Sequence, residues 1–548
     1  MTTVAEMLVN TLESAGVKRI YGLPGDSLNP LMDAIRRNGK VDFIQVRHEE
    51  GASLEAAFDS KYTGNLSVCM GTSGPGSIHL LNGLYEAKMD HVPVLALTGQ
   101  IETDLIGKEY FQEVNMMDLF RDVSLFSQRI INPESARYLI ERAISSSLNL
   151  RGVSHLDLPV DILRADAGKN SGSVIPGRQV METKPDLHRC NELINESSNP
   201  VIMYGSGCRY LSSELMDFAE KIGAPLIYAL KGKGILPDED PRVMGGLGLL
   251  GTKPSVEAMK KSDLLIFIGS DFPYTQFLDP SKKSVQVDSN PMSIGKRITA
   301  TVSVVCDASY FLKNISPDEK ERKFYKSMEG EKKRWIQKME SDEGSRGDPL
   351  NPEAIVSTLS ALLPPDAIIM GDTGNVTVWT ARNMRFKTSK EFFFSPWLGS
   401  MGTGIPGAIG LSFASEKPVF AIVGDGSAAM TMMELITARK YDRNIKVVVF
   451  NNSKLGMIKF EEEVMGYPEF GVDLLNPDFE MIGKAVGIGG FTIRSRDELQ
   501  KVMESFVQYK GPAILNAFVS SGEKPMPPEL NFKQARGYVT SILRERIG

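Results

Sequence analysis

The chain has 548 residues, 42% of them hydrophobic and 24% charged, with a formal net charge of −6. That balance excludes a disordered, collagen-like or coiled-coil chain, and the acidic surplus argues against a protein built to grip nucleic acid. The length predicts three or four domains, with cores large enough to need neither a disulfide nor a structural metal.

Cys69, Cys190, Cys208 and Cys306 are scattered and form no CxxC pair, which fits a reducing cytoplasm. The opening stretch carries Glu6 and Glu13 inside its apolar pattern, so residues 5–15 read as an amphipathic helix and not a signal peptide. Strands are predicted at residues 19–21, 43–46, 66–70 and 92–97, with a small-residue helix over 51–58. Strands alternating with helices predict a parallel sheet covered on both faces. A loose segment, 172–185, leads to a second unit with strands at 200–204, 264–268 and 284–287. The charged stretch 318–340 reads as a solvated helix and linker. A third unit begins near Asn351, with strands at 367–370, 419–423 and 446–450. The longest run without a charged residue or histidine is 392–415, and it holds five glycines and two prolines. It reads as a loop and helix start inside a fold, not a membrane span. The expected fold class is α/β, with three doubly wound parallel-sheet domains over 1–180, 181–335 and 336–525 and a tail at 526–548.

The strongest local signal is Gly424-Asp425-Gly426, followed by Asn451-Asn452, with Asn452 lying 27 residues after Asp425. Each group follows a predicted strand, and a helix over 431–440 separates them. A strand–helix–strand crossover returns both polar ends to one sheet edge, where ligands bind. The glycines let backbone N–H groups reach phosphate oxygens. Asp425 and the Asn452 amide oxygen are hard ligands suited to Mg²⁺, together with a backbone carbonyl near Lys454.

This pattern resembles the signature of thiamine diphosphate enzymes, and the resemblance extends over nearly the whole chain. Arg47-His48-Glu49-Glu50-Gly51-Ala52 looks like the motif whose Glu activates thiamine, and Thr72-Ser73-Gly74-Pro75-Gly76 like its Gly-rich loop. Gly399-Ser400-Met401-Gly402 matches the loop that cradles the aminopyrimidine, with Met401 propping the cofactor in its bent shape. The resemblance assigns further cofactor contacts to Ser427, Leu455, Gly456 and Met457. Glu49 is the carboxylate expected to protonate the aminopyrimidine N1′, with Glu50 as the neighbouring alternative. Because Glu49 and Asp425 fall in different domains, the family's shared site implies a homo-oligomer, a dimer or tetramer.

Within the family the chain is most similar to pyruvate oxidases, including the quinone-linked type, with acetolactate synthase as the alternative. His79 and Glu461 match the oxidases, and His79 is a candidate for holding the pyruvate carboxylate. Met457 stands where oxidases usually show Phe. Phe111 and Gln112 are shared by both branches. Oxidases of this kind bind FAD in the central domain. Gly205 and Gly207 form only a partial dinucleotide fingerprint, since Tyr210 stands where the third glycine would be. Gly248, Leu249, Gly251, Ser270, Asp271, Phe272, Asp288 and Asp307 resemble FAD contacts. The implied activity is oxidative decarboxylation of pyruvate to acetate or acetyl phosphate and CO₂, with electrons passing to FAD and then to quinone or oxygen. Residues 525–548 resemble the start of the membrane-binding tail of the quinone-linked enzymes but stop short of most of it. The expectation is a cytoplasmic enzyme with at most a weak peripheral contact to membrane and quinone.

Overall fold

A computed structural model describes residues 2–168, 183–319, 322–344, 347, 349–522 and 528. The 172–185 linker and the 526–548 tail fall almost wholly outside them. Short apolar runs, buried on both faces, become strands of three parallel six-stranded sheets flanked by helices. The N-terminal sheet contains β1 (Arg19–Gly22), β2 (Asp42–Gln45), β3 (Ser67–Gly71), β4 (Val94–Gln100), β5 (Phe126–Arg129) and β6 (Val153–Pro159). The central sheet contains β7 (Pro200–Tyr204), β8 (Leu226–Tyr228), β9 (Val243–Gly246), β10 (Leu264–Ile268), β11 (Lys283–Asp288) and β12 (Val302–Val305). The C-terminal sheet contains β13 (Ile368–Gly371), β14 (Glu391–Phe393), β15 (Val419–Gly424), β16 (Ile445–Asn451), β17 (Gly489–Ile493) and β18 (Ala513–Phe518).

The outer sheets share one topology, β2-β1-β3-β4-β6-β5 and β14-β13-β15-β16-β18-β17. The central sheet runs β12-β11-β10-β7-β8-β9, the doubly wound order whose switch point lies between β7 and β10. Among the described residues no helix is long and apolar enough to cross a membrane.

Two expected elements differ. The stretch read as a solvated helix and linker does form a helix, Phe324–Gly344, but one docked on the central domain. Phe324 and Met328 join the central core, and Lys332 Nζ donates to the carbonyl of Asp238 at 2.8 Å and to that of Asp240. The aliphatic stem of lysine buries while its ammonium finds carbonyls, so charge along the sequence hid a packed face. The helix expected over 431–440 is broken into Asp425–Thr431, a 3₁₀ turn at Met432–Glu434, and Leu435–Lys440.

The outer domains meet where the helix Glu49–Thr63 packs on the helix Gly404–Ala414. Residues 51–60 of the first and 404–412 of the second are all buried. A Cβ at Gly410 would lie 2.2 Å from the Glu55 carbonyl oxygen, and one at Gly407 would lie 2.7 Å from Met370 Cε. Glu55 is buried in this contact with neither carboxylate oxygen hydrogen-bonded. Burial first, then the nearby Glu434, pushes its carboxyl well above the ordinary range.

His155 in β6 is buried between the hydroxyls of Thr98 (2.7 Å) and Ser127 (2.8 Å) and stacks on Phe120 at 4.1 Å. Burial, and then the charge of Arg129, pulls its pKa from 6.5 to about 3. Between those values the unfolded chain takes up a proton that the folded chain refuses. The stability tied to neutral His155 is complete above pH 6.5 and drains as pH falls, at up to about 1.4 kcal/mol per pH unit. His155→Gln should therefore flatten the decline of the thermal transition between pH 6.5 and roughly pH 5. An unchanged slope in the variant would refute this account.

Candidate active site

In the C-terminal domain β15 and β16 are parallel neighbours, with Gly424 opposite Phe450, so Asp425 and Asn452 emerge past one sheet edge. Asp425 is 3% exposed. One of its oxygens accepts the Gly426 N–H at 2.9 Å, and the other accepts the Ser453 N–H at 2.6 Å and the Asn476 amide at 2.8 Å. Burial raises the carboxyl, and these donors oppose the rise by favouring the carboxylate. Asn452 Oδ1 accepts the Lys454 N–H at 3.0 Å. The Lys454 ammonium turns away to Asp473 at 2.5 Å and to Glu469, which leaves its backbone carbonyl as the atom expected at a metal. A Cβ at Gly456 would lie 2.5 Å from Asn375 Nδ2 and 3.1 Å from Asn452 Nδ2, while Asn375 Oδ1 is buried without a partner. A buried carboxylate, an amide oxygen and an orphaned amide at a glycine-opened edge fit a hard divalent cation and a diphosphate.

The loop at Gly399–Gly402 is shaped by positive φ at both glycines, +66° and +82°. A Cβ at Gly426 would lie 3.3 Å from Met401 Cε and 3.0 Å from Leu455 Cδ2, so these side chains converge on the turn. Ser427 is buried, its hydroxyl 3.4 Å from the Thr373 carbonyl. Asp372, at the end of β13, accepts N–H groups of Thr373 (2.7 Å) and Gly404 (2.9 Å), and burial pushes its pKa up to about 6. Met457 packs against the domain core.

In the N-terminal domain the chain leaves β2, and His48 caps the helix that begins at Glu49, accepting the Glu50 N–H at 3.2 Å. Glu49 is 6% exposed and hydrogen-bonds His79 Nδ1 at 3.0 Å. The His48 and His79 rings stack at 4.3 Å. A Cβ on Gly76 would lie 3.0 Å from Glu49 Oε1, so the Gly-rich loop presses on the carboxylate. Glu50 points elsewhere: it accepts the Asn82 amide at 2.6 Å, and Asn82 donates to Ser400 Oγ at 2.9 Å. Gln112 adopts φ +62° and reaches Ser73 Oγ at 3.4 Å, and Phe111 beside it is 75% exposed. Glu461 is exposed on the helix Gly456–Met465. Glu434, which no motif marked, accepts the N–H groups of Arg47 and His48, both at 2.9 Å. It thereby ties the approach to Glu49 to the C-terminal domain. Among the described residues no hydrogen bond joins Glu49 or His79 to Asp425 or Asn452.

The central domain opens a cleft lined by Tyr228, Lys231, Leu250, Phe272, Tyr274 and, from the C-terminal domain, Trp397. A smaller hollow shares Asp271 and Phe272 and adds Ser270, Asp288 and Arg297. Asp271 pairs with Lys296 and Arg297, each at 3.3 Å. Ser270 Oγ is buried without a partner, and burial raises the Asp288 carboxyl at the end of β11. An aromatic slot continuing into a polar hollow fits a flat ring carrying a nucleotide. Gly248 (φ +106°) lies against Tyr274 and Phe272, and buried Arg382 donates to the carbonyls of Leu249 and Gly251, both at 2.9 Å. Gly205 and Gly207 are outside the lining. A Cβ on either would strike Gly269, at 2.5 Å and 2.6 Å, so their glycines permit two loops to touch at the switch point. Asp307 is also outside it, exposed and capping the helix Ala308–Asn314 through the Ser309 N–H at 2.8 Å.

The N-terminal TPP-binding domain of thiamine pyrophosphate enzymes matches residues 2–119, their central domain 187–315, and their C-terminal TPP-binding domain 372–517. The chain belongs to this family of thiamine diphosphate-dependent enzymes. It is 35% identical to the Bacillus subtilis protein YdaP over 99% of this chain and 96% of that one. It is 32% identical to pyruvate oxidase of Lactiplantibacillus plantarum, over 95% of this chain and 89% of the relative. It is 29% identical to the acetolactate synthase large subunit of Corynebacterium glutamicum, over 96% and 88%.

Asp425→Ala removes the carboxylate that three N–H donors orient. The variant should lose Mg²⁺-dependent retention of thiamine diphosphate in equilibrium dialysis, with Kd rising at least about tenfold. Retention equal to wild type, unaffected by chelator in both proteins, would overturn the metal assignment.

Proposed function

We propose that the chain is an FAD-linked pyruvate oxidase that uses Mg²⁺ and thiamine diphosphate to convert pyruvate to acetate or acetyl phosphate and CO₂. The observation that carries this reading is the imidazole of His79 held 3.0 Å from the buried Glu49 carboxylate. The aromatic cleft of the central domain supports a flavin, and Asp425, Asn452 and the Lys454 carbonyl support the metal. When bound, thiamine diphosphate supplies the carbanion that attacks the keto carbon, and FAD the two-electron acceptor. The residues supply the rest. Glu49, shielded from water, holds a proton against the aminopyrimidine N1′. His79 orients that carboxylate and offers its other ring nitrogen to the substrate carboxylate. Glu461 sets a negative charge against a second keto acid. The alternative is acetolactate synthase, favoured by Met457. Electrons leaving the flavin pass to quinone or oxygen, with at most a weak peripheral contact to a membrane.

Pyruvate with an artificial two-electron acceptor should give acetate or acetyl phosphate as main product and bleach the bound flavin. Glu461→Trp should raise the share of acetolactate. Mainly acetolactate from the unmodified protein would promote the alternative.

The placement of Glu49 and Asp425 in different domains, with the site the family shares between subunits, supports a homo-oligomeric site in which a second copy faces the Glu49 carboxylate. Glu49→Gln and Asp425→Ala should each be nearly inactive alone. Random pairing of equal amounts leaves one intact site in half the dimers, so activity should return to about a quarter of wild type. Mixed subunits no more active than either parent would refute a shared site.

A further inference from the structure

Where the three domains meet, a cluster of buried charges joins Lys231 of the cleft wall to Lys61, Glu86 and Asp90, which have no role assigned above. Lys61 Nζ pairs with Asp90 at 2.5 Å and with Glu86, and donates to the Phe394 carbonyl at 3.3 Å. Lys231 of the central domain reaches the other oxygen of Asp90 at 3.0 Å. Glu86 in turn accepts the Ser395 hydroxyl at 2.6 Å, and that hydroxyl oxygen accepts the Ser400 N–H at 3.2 Å. Arg209 of the central domain closes the junction, donating to the Lys61 carbonyl at 3.4 Å and lying 4.6 Å over the Phe393 ring. A continuous run of contacts thus leads from the wall of the flavin cleft, Lys231, to Ser400 in the aminopyrimidine loop.

The cluster is unevenly covered. The side chains of Lys61, Glu86 and Asp90 are 7%, 1% and 3% exposed, whereas that of Lys231 is 31% exposed, on the open side of the cleft. Burial alone would raise the Asp90 carboxyl, yet the two lysines, Lys231 first, hold it below its ordinary value. A ligand seated in the cleft would exclude water from Lys231. The Lys231–Asp90 attraction strengthens as its surroundings dry, and where that gain exceeds the cost of stripping water from the ammonium the ligand-covered state is stabilised.

We propose that Lys231 and Asp90 are positioning residues through which flavin in the central cleft tightens the Ser395–Ser400 segment, so that FAD and thiamine diphosphate bind cooperatively. This inference rests on the reading of the cleft as a flavin site. Coupling between two ligands is reciprocal, so each should strengthen the other by the same factor.

The test is binding, not turnover, on the full-length protein freed of cofactors. The Kd of thiamine diphosphate with Mg²⁺ is measured with and without saturating FAD, and the Kd of FAD with and without thiamine diphosphate. In wild type each ligand should tighten the other about tenfold, within the usual range for coupled sites. Lys231→Met should bring that factor close to one while leaving thiamine diphosphate affinity without FAD within about twofold of wild type. Lys231→Arg should retain the coupling, Asp90→Asn should lose it, and the Lys231→Met/Asp90→Asn pair should lose no more than either alone. Coupling that survives Lys231→Met, or wild type with independent binding of both ligands, overturns the inference. Wild type that binds no FAD overturns the flavin reading of the cleft and this inference with it.

Discussion

Two helices that touch backbone to backbone determine the rest of this structure. The helix that starts at Glu49 and the helix Gly404–Ala414 bury nearly every residue against each other and their sheets, and only Gly407 and Gly410 leave room for the contact. The first carries Glu49, the carboxylate proposed to handle the proton, at its start. The second follows directly on the loop that is expected to cradle the aminopyrimidine. A side chain at Gly410 would strike the Glu55 backbone of the facing helix and push the two domains apart, and Glu49 would move with its helix. Interior packing transmits such a displacement, because there is no slack to absorb it.

Carboxylates then divide the work by environment. Glu49 and Glu50 are neighbours in sequence and diverge in space, one toward His79, the other toward Asn82 and Ser400. Asp425 is set by N–H groups from both flanking loops, Asp372 by the backbone that follows the cradle loop, and Glu434 by the approach to Glu49. Asp425, Asp372 and Glu434 are thus hydrogen-bonded to backbone N–H groups near the cofactor elements, which fixes those elements at little entropic cost.

The fold was legible because parallel strands buried on both faces write themselves as apolar runs. The strands at 200–204 and 264–268 fall where periodicity puts them. Weaker strands, such as Phe126–Arg129 and Glu391–Phe393, carry polar or charged residues and do not read as apolar runs of strand length. In the site, Asp425 and Asn452 were readable since each follows directly on a strand. Asp372, Asn375, Glu434 and Asn476 were not. Each is a single polar residue in no local pattern, made relevant only when strands far apart in sequence end at one edge. A spacing of polar residues at strand C-terminal ends could have raised Asp372, which follows β13 as Asp425 follows β15. Gly205 and Gly207 permit a loop contact and Asp307 caps a helix, and none of the three lines the two hollows.

Glu55 sits in the middle of the glycine-relieved contact with neither oxygen bonded. A charge stranded there would cost several kcal/mol, so the side chain enters as the neutral acid. Joining the two outer domains therefore withdraws a proton from solvent, and parting them returns it. The stabilisation from this uptake is complete below 4.5, the ordinary value for Glu, and fades as pH climbs through the raised value. His155 behaves in the reverse sense within the N-terminal sheet, where acid is the adversary. Solution acidity thus reaches the molecule at two separate seams: one inside a domain, loosened from the acid side, and one between domains, loosened from the alkaline side.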